Sequence, residues 1–276
     1  MTAMARWRLI VHERAGAAWN MALDEAILDR AIEHGGPATL RVFDWERPAI
    51  TIGYAIDAPG SLDLDECARR RVPVIRRITG GGIVFHGADL TYAITFPRDA
   101  LAPRDALAPK EGLIETYRTI NRAFAAALKT FGVGSSLLDG PARSGPPAGA
   151  CFARPTRYDL VANGKKLAGN AQRRSKGWLL NHGSMLLDDG YRALLPLLRD
   201  EREIAAFDTQ SVTLDALAAQ TPTRNELIAA IAQAFGDSLG AGLEASPAHD
   251  DELARANELA ATKYNDPRWN HDGKSP

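Results

Sequence analysis

The chain has 276 residues, 45% hydrophobic and 24% charged, which suits one large core and excludes wholesale disorder. Its 33 Lys and Arg against 34 Asp and Glu leave a formal net charge of −1, so there is no global attraction to nucleic acid or to an anionic membrane. No apolar stretch approaches a membrane span, the start "MTAMARWRLIVHERAG" lacks a secretory signal's apolar region, and the two cysteines are expected as free thiols of a cytoplasmic protein.

In chain order, "WRLIV" (7–11) reads as a short strand. "AAWNMALDEAILDRAIEHGG" follows with apolar residues at helical spacing (Trp19, Ala22, Leu23, Ala26, Ile27, Ala31), and Gly35-Gly36 stops it. "TLRVFDW" and "AITIGYA" are β-branched and aromatic runs split by "ERP", the pattern of neighbouring strands. "SLDLDECARRR" predicts a short helix that carries Cys67. "VPVIRRITGGGIVFHGADLTYAITFP" (72–97) reads as strand, triple-glycine turn, strand, tight turn, strand.

A longer helix is predicted over about 112–131. The segment "LLDGPARSGPPAGA" (137–150) has neither period nor bulk and predicts a mobile loop. Strands resume at "YDLVA", "KLAGNAQRR" and "WLLNHGSMLL". From about 188 the chain is predicted mainly helical, most clearly at "RNELIAAIAQAFGDSL" and "DDELARANELAATKY". A polar tail after about 265 is expected to fray, with Trp269 as its possible anchor. No repeat or linker divides residues 1–276, and strands and helices are segregated rather than alternating. The expectation is a single α+β domain with a mixed or antiparallel sheet flanked by helices.

Three constellations carry chemistry. Gly80, Gly81 and Gly82 can turn tightly and bring backbone N–H groups close to an anion; the spacing is neither a Walker loop nor a dinucleotide fingerprint, and a plain hairpin turn is the competing reading. Arg76 and Arg77 alternate across the strand, so only one faces the side of the glycine loop. His86 and His182 have no acidic or histidine neighbour at metal-ligand spacing, so no metal site is predicted. Cys151 directly follows the loop, an odd place for a core residue, with Arg154, Arg157, Lys165 and Lys166 near in sequence. Nearby cations favour a thiolate. The alternatives are a packed thiol at 151 and an exposed turn lysine at 166, because "NGKK" is a common hairpin turn. The hairpin puts Lys166 at the strand's far end, away from Cys151, so their contact depends on tertiary folding.

In order and spacing, "RRITGGGIVFHGADLTYAITFP", "YDLVANGKKLAGNAQRR" and "LLNHGSMLLD" resemble the biotin/lipoate protein ligase and lipoyltransferase superfamily. The early "NMALDEAIL" and "TLRVFDWERPAITIGYA" extend the likeness over most of residues 6–190. Within it, "ACFARPTRYDLVANGKKLAGNAQRRSKGWLLNHGS" is most similar to the cysteine-dependent octanoyltransferases. The resemblance implies a catalytic domain that moves an octanoyl group from acyl carrier protein, through an acyl-enzyme on Cys151, to a lysine of the glycine cleavage H protein or another lipoyl domain. Lys166 would hold the thiolate and the oxyanion, and would accept the amine's proton if burial lowered its pKa. Arg77, Gly80, Gly81, Gly82, His86, Gly169, Asn170, Ala171 and His182 would shape the binding pocket of a monomer needing no cofactor. The alternatives are an ATP-dependent lipoate ligase, with ATP and Mg as its cofactors, and a non-catalytic carrier-binding homologue. The chain departs from the family pattern at Gly87, where an Asp is usual, at Asn170 in place of Ser, at Ile56 in place of Gln, and at Gly82, where the transferases often have Arg and the ligases Gly.

Overall fold

The computed structural model describes residues 5–98, 100, 109–138, 149–153, 155–156 and 159–274. Arg154 and Arg157 and most of the loop expected over 137–150 lie outside them.

A large sheet takes strands from both halves of the chain. Its members are β1 (Ala5–Ala15), β2 (Thr39–Trp45), β6 (Asp89–Pro97), β7 (Ser136–Leu137), β8 (Leu160–Ala162), β9 (Lys165–Ser175), β10 (Trp178–Leu186) and β11 (Ala241–Ala245), in the order β11-β1-β2-β6-β10-β9-β8-β7. β11, β1 and β2 run parallel and the rest pair antiparallel, so the sheet is mixed and the class is α+β. Period-two alternation gives its faces different characters. Leu90, Tyr92, Ile94 and Phe96 of β6, with Leu179 and Met185 of β10, face an apolar layer that includes Phe124 on α4 (Pro109–Lys129) and Phe235 on α6 (Arg224–Leu239). Thr91, Ala171, His182 and Ser184 line the pocket on the other side of these strands. That second face is covered by α1 (Ala17–His34) and α7 (Asp250–Leu259) and by a second, three-stranded sheet.

The second sheet corrects the hairpin reading of the triple glycine. β3 (Ala49–Ile52), β4 (Val74–Arg76) and β5 (Ile83–His86) are ordered β4-β3-β5, so residues 77–82 cross over β3 from one edge to the other. The crossing is close: a Cβ on Gly53 would collide with the carbonyl of Gly81. The single helix expected at 61–71 is two short ones, α2 (Ala58–Ser61) and α3 (Leu64–Arg69). Cys67 of α3 is buried in the core beneath this sheet, with Phe207 of α5 (Glu201–Gln210). β11 was not legible in "AGLEA", which lacks β-branched residues; it extends the sheet by parallel pairing with β1. Among the described residues, no helix is long and apolar enough to cross a membrane.

The tail is also a correction. It does not fray, because α8 (Pro267–Asp272) is bolted to Arg76. Arg76 Nε donates to Trp269 O at 2.9 Å and Nη2 to His271 O at 3.0 Å, and Trp269 Nε1 returns a bond to Arg76 O at 2.9 Å. Nη1 donates to Tyr54 O and Ile56 O, both at 2.8 Å. A guanidinium that is 2% exposed is thus satisfied by backbone carbonyls, which a buried cation requires. Trp269 itself is 3% exposed. Replacing it with alanine is expected to lower the free energy of unfolding in urea by about 3–5 kcal/mol, the usual cost of deleting a buried indole.

Candidate active site

Lys166 is the second residue of β9 and Cys151 opens a single 3₁₀ turn, Cys151–Ala153. Fifteen residues apart in sequence, they meet because the cysteine segment docks on β5 rather than continuing into β8. Ile83 N donates to Gly149 O at 2.9 Å, in a parallel bridge of Ile83 with Ala150. From the opposite side, Glu203 of α5 accepts the Ala150 N–H at 2.9 Å, and Phe152 packs on Phe207 with ring centroids 5.6 Å apart. A register shift between Leu160 and Val161 then separates β8 from a regular hairpin with β9. Lys165 takes the exposed turn position, whereas Lys166 is 1% exposed.

The buried ammonium has three acceptors for its three protons. Lys166 Nζ lies 2.7 Å from Asp159 Oδ2, 3.1 Å from Cys151 O and 3.4 Å from Cys151 Sγ. Asp159, itself 4% exposed, also accepts from Thr156 N at 2.6 Å and Thr156 Oγ1 at 2.9 Å. Burial opposes charge on Lys166, but Asp159 and Cys151 outweigh it and its pKa is raised. The condition under which Lys166 was expected to accept a proton, a pKa lowered by burial, is therefore not met. Gly169 makes room for it, since a Cβ there would lie 2.5 Å from Lys166 Cε and 2.6 Å from Nζ.

Beside Cys151 opens a pocket. Met21, Val84, Phe152 and Ala171 supply apolar walls, and Arg77, Gly81, His86, Gly169, Asn170 and His182 also line it. Of the candidate site residues, Gly80, Gly82 and Lys166 do not: Gly80 is exposed, Gly82 backs onto Gly149 O, and Lys166 meets the pocket only through Cys151. Arg77, just past the end of β4, lines the pocket, whereas Arg76 turns to α8. Three of the five N–H donors of Arg77 are taken within the protein: Nη1 donates to Thr51 Oγ1 at 2.7 Å and Nη2 to the carbonyls of Gly80 and Gly82 at 3.1 and 2.9 Å. Burial pulls its pKa down to about 10, opposed by Cys151, so it stays charged at neutral pH.

Each histidine has an acid partner that sequence spacing did not reveal. His86 Nδ1 meets Asp89 Oδ2 at 2.8 Å, its Nε2 meets Thr51 Oγ1 at 2.7 Å, and its ring stacks on Trp45 at 4.1 Å between centroids. Asp89 also accepts from Ser184, Thr91 and the Gly87 N–H. Burial would raise the Asp89 pKa, but these partners hold it below the usual range. His182 Nε2 lies 3.0 Å from Asp24 on α1, and its Nδ1 is 3.1 Å from Thr79 Oγ1. Asp24 is paired in turn with the buried Arg41 at 2.6 Å, and burial with the Arg41 charge pushes His12 down to about 4, so that a neutral His12 Nδ1 accepts from Arg41 Nε. Asn170 donates to Asn121 on α4 at 3.0 Å and accepts from Asn181 at 3.4 Å. Ile56 is packed in the core of the small sheet.

Asp159, Asp24, Asp89, Thr51, Thr91, Ser184 and Glu203 are among the polar residues of the site that sequence reasoning missed. Only Asp89, three residues after His86 on a tight turn, left a local signal. The arrangement as a whole offers a thiol nucleophile, a fixed ammonium beside it and an apolar chamber, the parts needed for acyl transfer from a thioester. Gly169→Ala is expected to displace the ammonium and slow alkylation of Cys151 by iodoacetamide at neutral pH on the order of tenfold, measured by intact mass against time.

The family model for the lipoyl protein ligase A/B catalytic domain matches residues 16–236. Octanoyltransferase LipM of Brevibacillus brevis is 34% identical over 97% of this chain and 99% of its own length. The protein of that name from Symbiobacterium thermophilum is 36% identical over 96% and 97%. Among solved structures, lipoate-protein ligase A bound with ATP superposes with a TM-score of 0.81 at 24% identity, covering 98% of this chain and all of that one. Ta0514, a putative lipoate protein ligase from T. acidophilum with bound lipoic acid, gives 0.78 at 24% identity, covering 97% and 99%.

Proposed function

The chain belongs to the lipoyl protein ligase A/B catalytic-domain family, and we infer that within it the protein is an octanoyltransferase of protein lipoylation. The donor in this reading is octanoyl acyl carrier protein and the acceptor is a lysine of the glycine cleavage H protein or of another lipoyl domain. The enzyme acts as a cytoplasmic monomer without nucleotide or metal. One observation supports the covalent route above the others: Lys166 Nζ sits 3.4 Å from Cys151 Sγ, beside an apolar pocket.

The first step is thiol exchange. The Cys151 thiolate attacks the carbonyl carbon of the donor thioester, a new C–S bond forms, and the carrier's sulfur leaves as a thiolate that takes a proton from solvent. Lys166 faces the oxyanion of the tetrahedral intermediate with a charge that its own environment maintains. Thioester replaces thioester, so the step is nearly isoenergetic and needs no ATP. In the second step the acceptor amine attacks the same carbon, a C–N bond forms, and the Cys151 sulfur leaves. The proton lost by the amine nitrogen restores the Cys151 thiol. Lys166, already protonated, does not take it. Met21, Val84, Phe152 and Ala171 give the acyl chain its apolar surroundings.

Incubating the purified protein with octanoyl carrier protein, without nucleotide, is expected to add one octanoyl group to Cys151, seen by intact mass and released by hydroxylamine. Cys151→Ala should abolish both the adduct and transfer to the acceptor, and Lys166→Ala should slow transfer by on the order of 10²–10³. ATP-dependent transfer that survives Cys151→Ala would replace this reading with a ligase. No product with a competent acceptor would replace it with a carrier-binding homologue.

A further inference from the structure

The acyl-enzyme sets an electrostatic problem that the resting site does not. Before acylation, Lys166 can share its charge with two anions, the Asp159 carboxylate and the Cys151 thiolate, at 2.7 and 3.4 Å. Once the sulfur carries an acyl group it is a neutral thioester, and one of the two anions is gone. A lysine that is 1% exposed then has its charge desolvated on every side. Buried lysines without a counter-ion readily give up their proton. The second step nevertheless needs the ammonium, because a new oxyanion forms on the same carbon when the amine attacks.

Resting on the acyl-enzyme reading, we infer that Asp159 is a positioning residue whose task falls in the second step: it is the counter-ion that keeps Lys166 an ammonium after Cys151 has been acylated. The geometry suits a permanent partner. Asp159 Oδ2 makes the shortest of the three Lys166 contacts, and the Thr156 N–H and hydroxyl hold the same oxygen at 2.6 and 2.9 Å. Neither bond involves Cys151, so neither is lost on acylation. The other described groups do not replace it. Arg77 and Tyr117 of α4 interact electrostatically with Cys151, but Arg77 is a cation and burial holds Tyr117 in its neutral form. Glu203 is committed to the Ala150 N–H. The main-chain oxygen of Cys151 keeps its bond to Lys166 but carries no full charge.

This assigns different roles to the charges in the two steps. During acylation the thiolate itself helps to keep Lys166 protonated, so loss of Asp159 is partly compensated. During discharge nothing else compensates. A purely structural aspartate would, in contrast, impair both steps alike and without regard to pH.

The experiment separates the steps in the full-length protein. Wild type and Asp159→Asn are acylated with octanoyl carrier protein, adduct formation is timed by intact mass, and the isolated adduct is then discharged with hydroxylamine, a nucleophile already unprotonated at neutral pH. Discharge of the variant is expected to slow on the order of tenfold to a hundredfold, more than adduct formation does, with the deficit growing from about pH 7 to about pH 9 as the unpaired lysine loses its proton. The wild-type adduct should show no fall in discharge rate over that range. Equal losses in the two steps, or a deficit that does not change with pH, would overturn the inference. A decline in the wild type over the same range would overturn it even if the variant did not fold. Wild type that takes up no acyl group at all would instead remove the acyl-enzyme reading, and this inference with it.

Discussion

A lysine ammonium in a protein interior is tolerable only if every proton finds an acceptor and at least one acceptor is an anion. Lys166 meets that condition through Asp159, the Cys151 carbonyl and the Cys151 sulfur, and much of the local architecture follows from it. Gly169 must lack a side chain because the lysine occupies its space. The β8–β9 pairing must slip so that Lys165 takes the exposed turn position while Lys166 turns inward. The cysteine segment must leave the path of β8 and be held on β5 by one backbone bond and on α5 by Glu203. The thiol is thereby placed by three separate elements, which is how a short 3₁₀ turn after a loop can present a nucleophile in a fixed position.

The rest of the pocket follows a different principle. On the face of the large sheet away from α4 and α6, the strand positions nearest the site are Thr91, Ala171, His182 and Ser184, small or polar where the opposite face is leucine, tyrosine and phenylalanine. These polar groups do not wait for ligand. His86 is held by Asp89, Thr51 and the Trp45 ring, and His182 by Asp24 and Thr79. Arg77 spends its donors on Thr51 and on the carbonyls of the glycine loop. The two histidines and the arginine therefore form a polar frame around an apolar chamber. Its inner surface is left to Met21, Val84, Phe152 and Ala171. Hydrogen-bonded networks of this kind resist a change in the shape of a cavity, because moving a bonded member strands a buried polar group.

The C-terminal third stabilises the same centre from outside. α5 supplies Glu203 and Phe207 to the cysteine segment, and α8 closes over Arg76, the neighbour of Arg77. The adjacent arginines thus serve different segments: one ties down the end of the chain, and the other ties down the glycine loop.

What the sequence by itself determined was local and periodic. Helix α1 was legible from its apolar spacing, β6 and β10 from their runs, and the α+β class from the segregation of strands and helices. The cysteine and lysine were legible as candidates by residue type, and the order of motifs pointed to the family. Tertiary structure alone decided what those candidates could do. Asp159 and Lys166 flank a hairpin whose register slips between Leu160 and Val161, and Asp24 lies 158 residues from His182, so only the folded chain could reveal the pairs. The triple glycine looked like a turn because a sequence cannot show that a third strand lies between the two it joins. The polar tail looked frayed because its partner, Arg76, is nearly two hundred residues away. Sequence states which groups are present and with what local period; distance, burial and therefore charge state are properties of the folded chain.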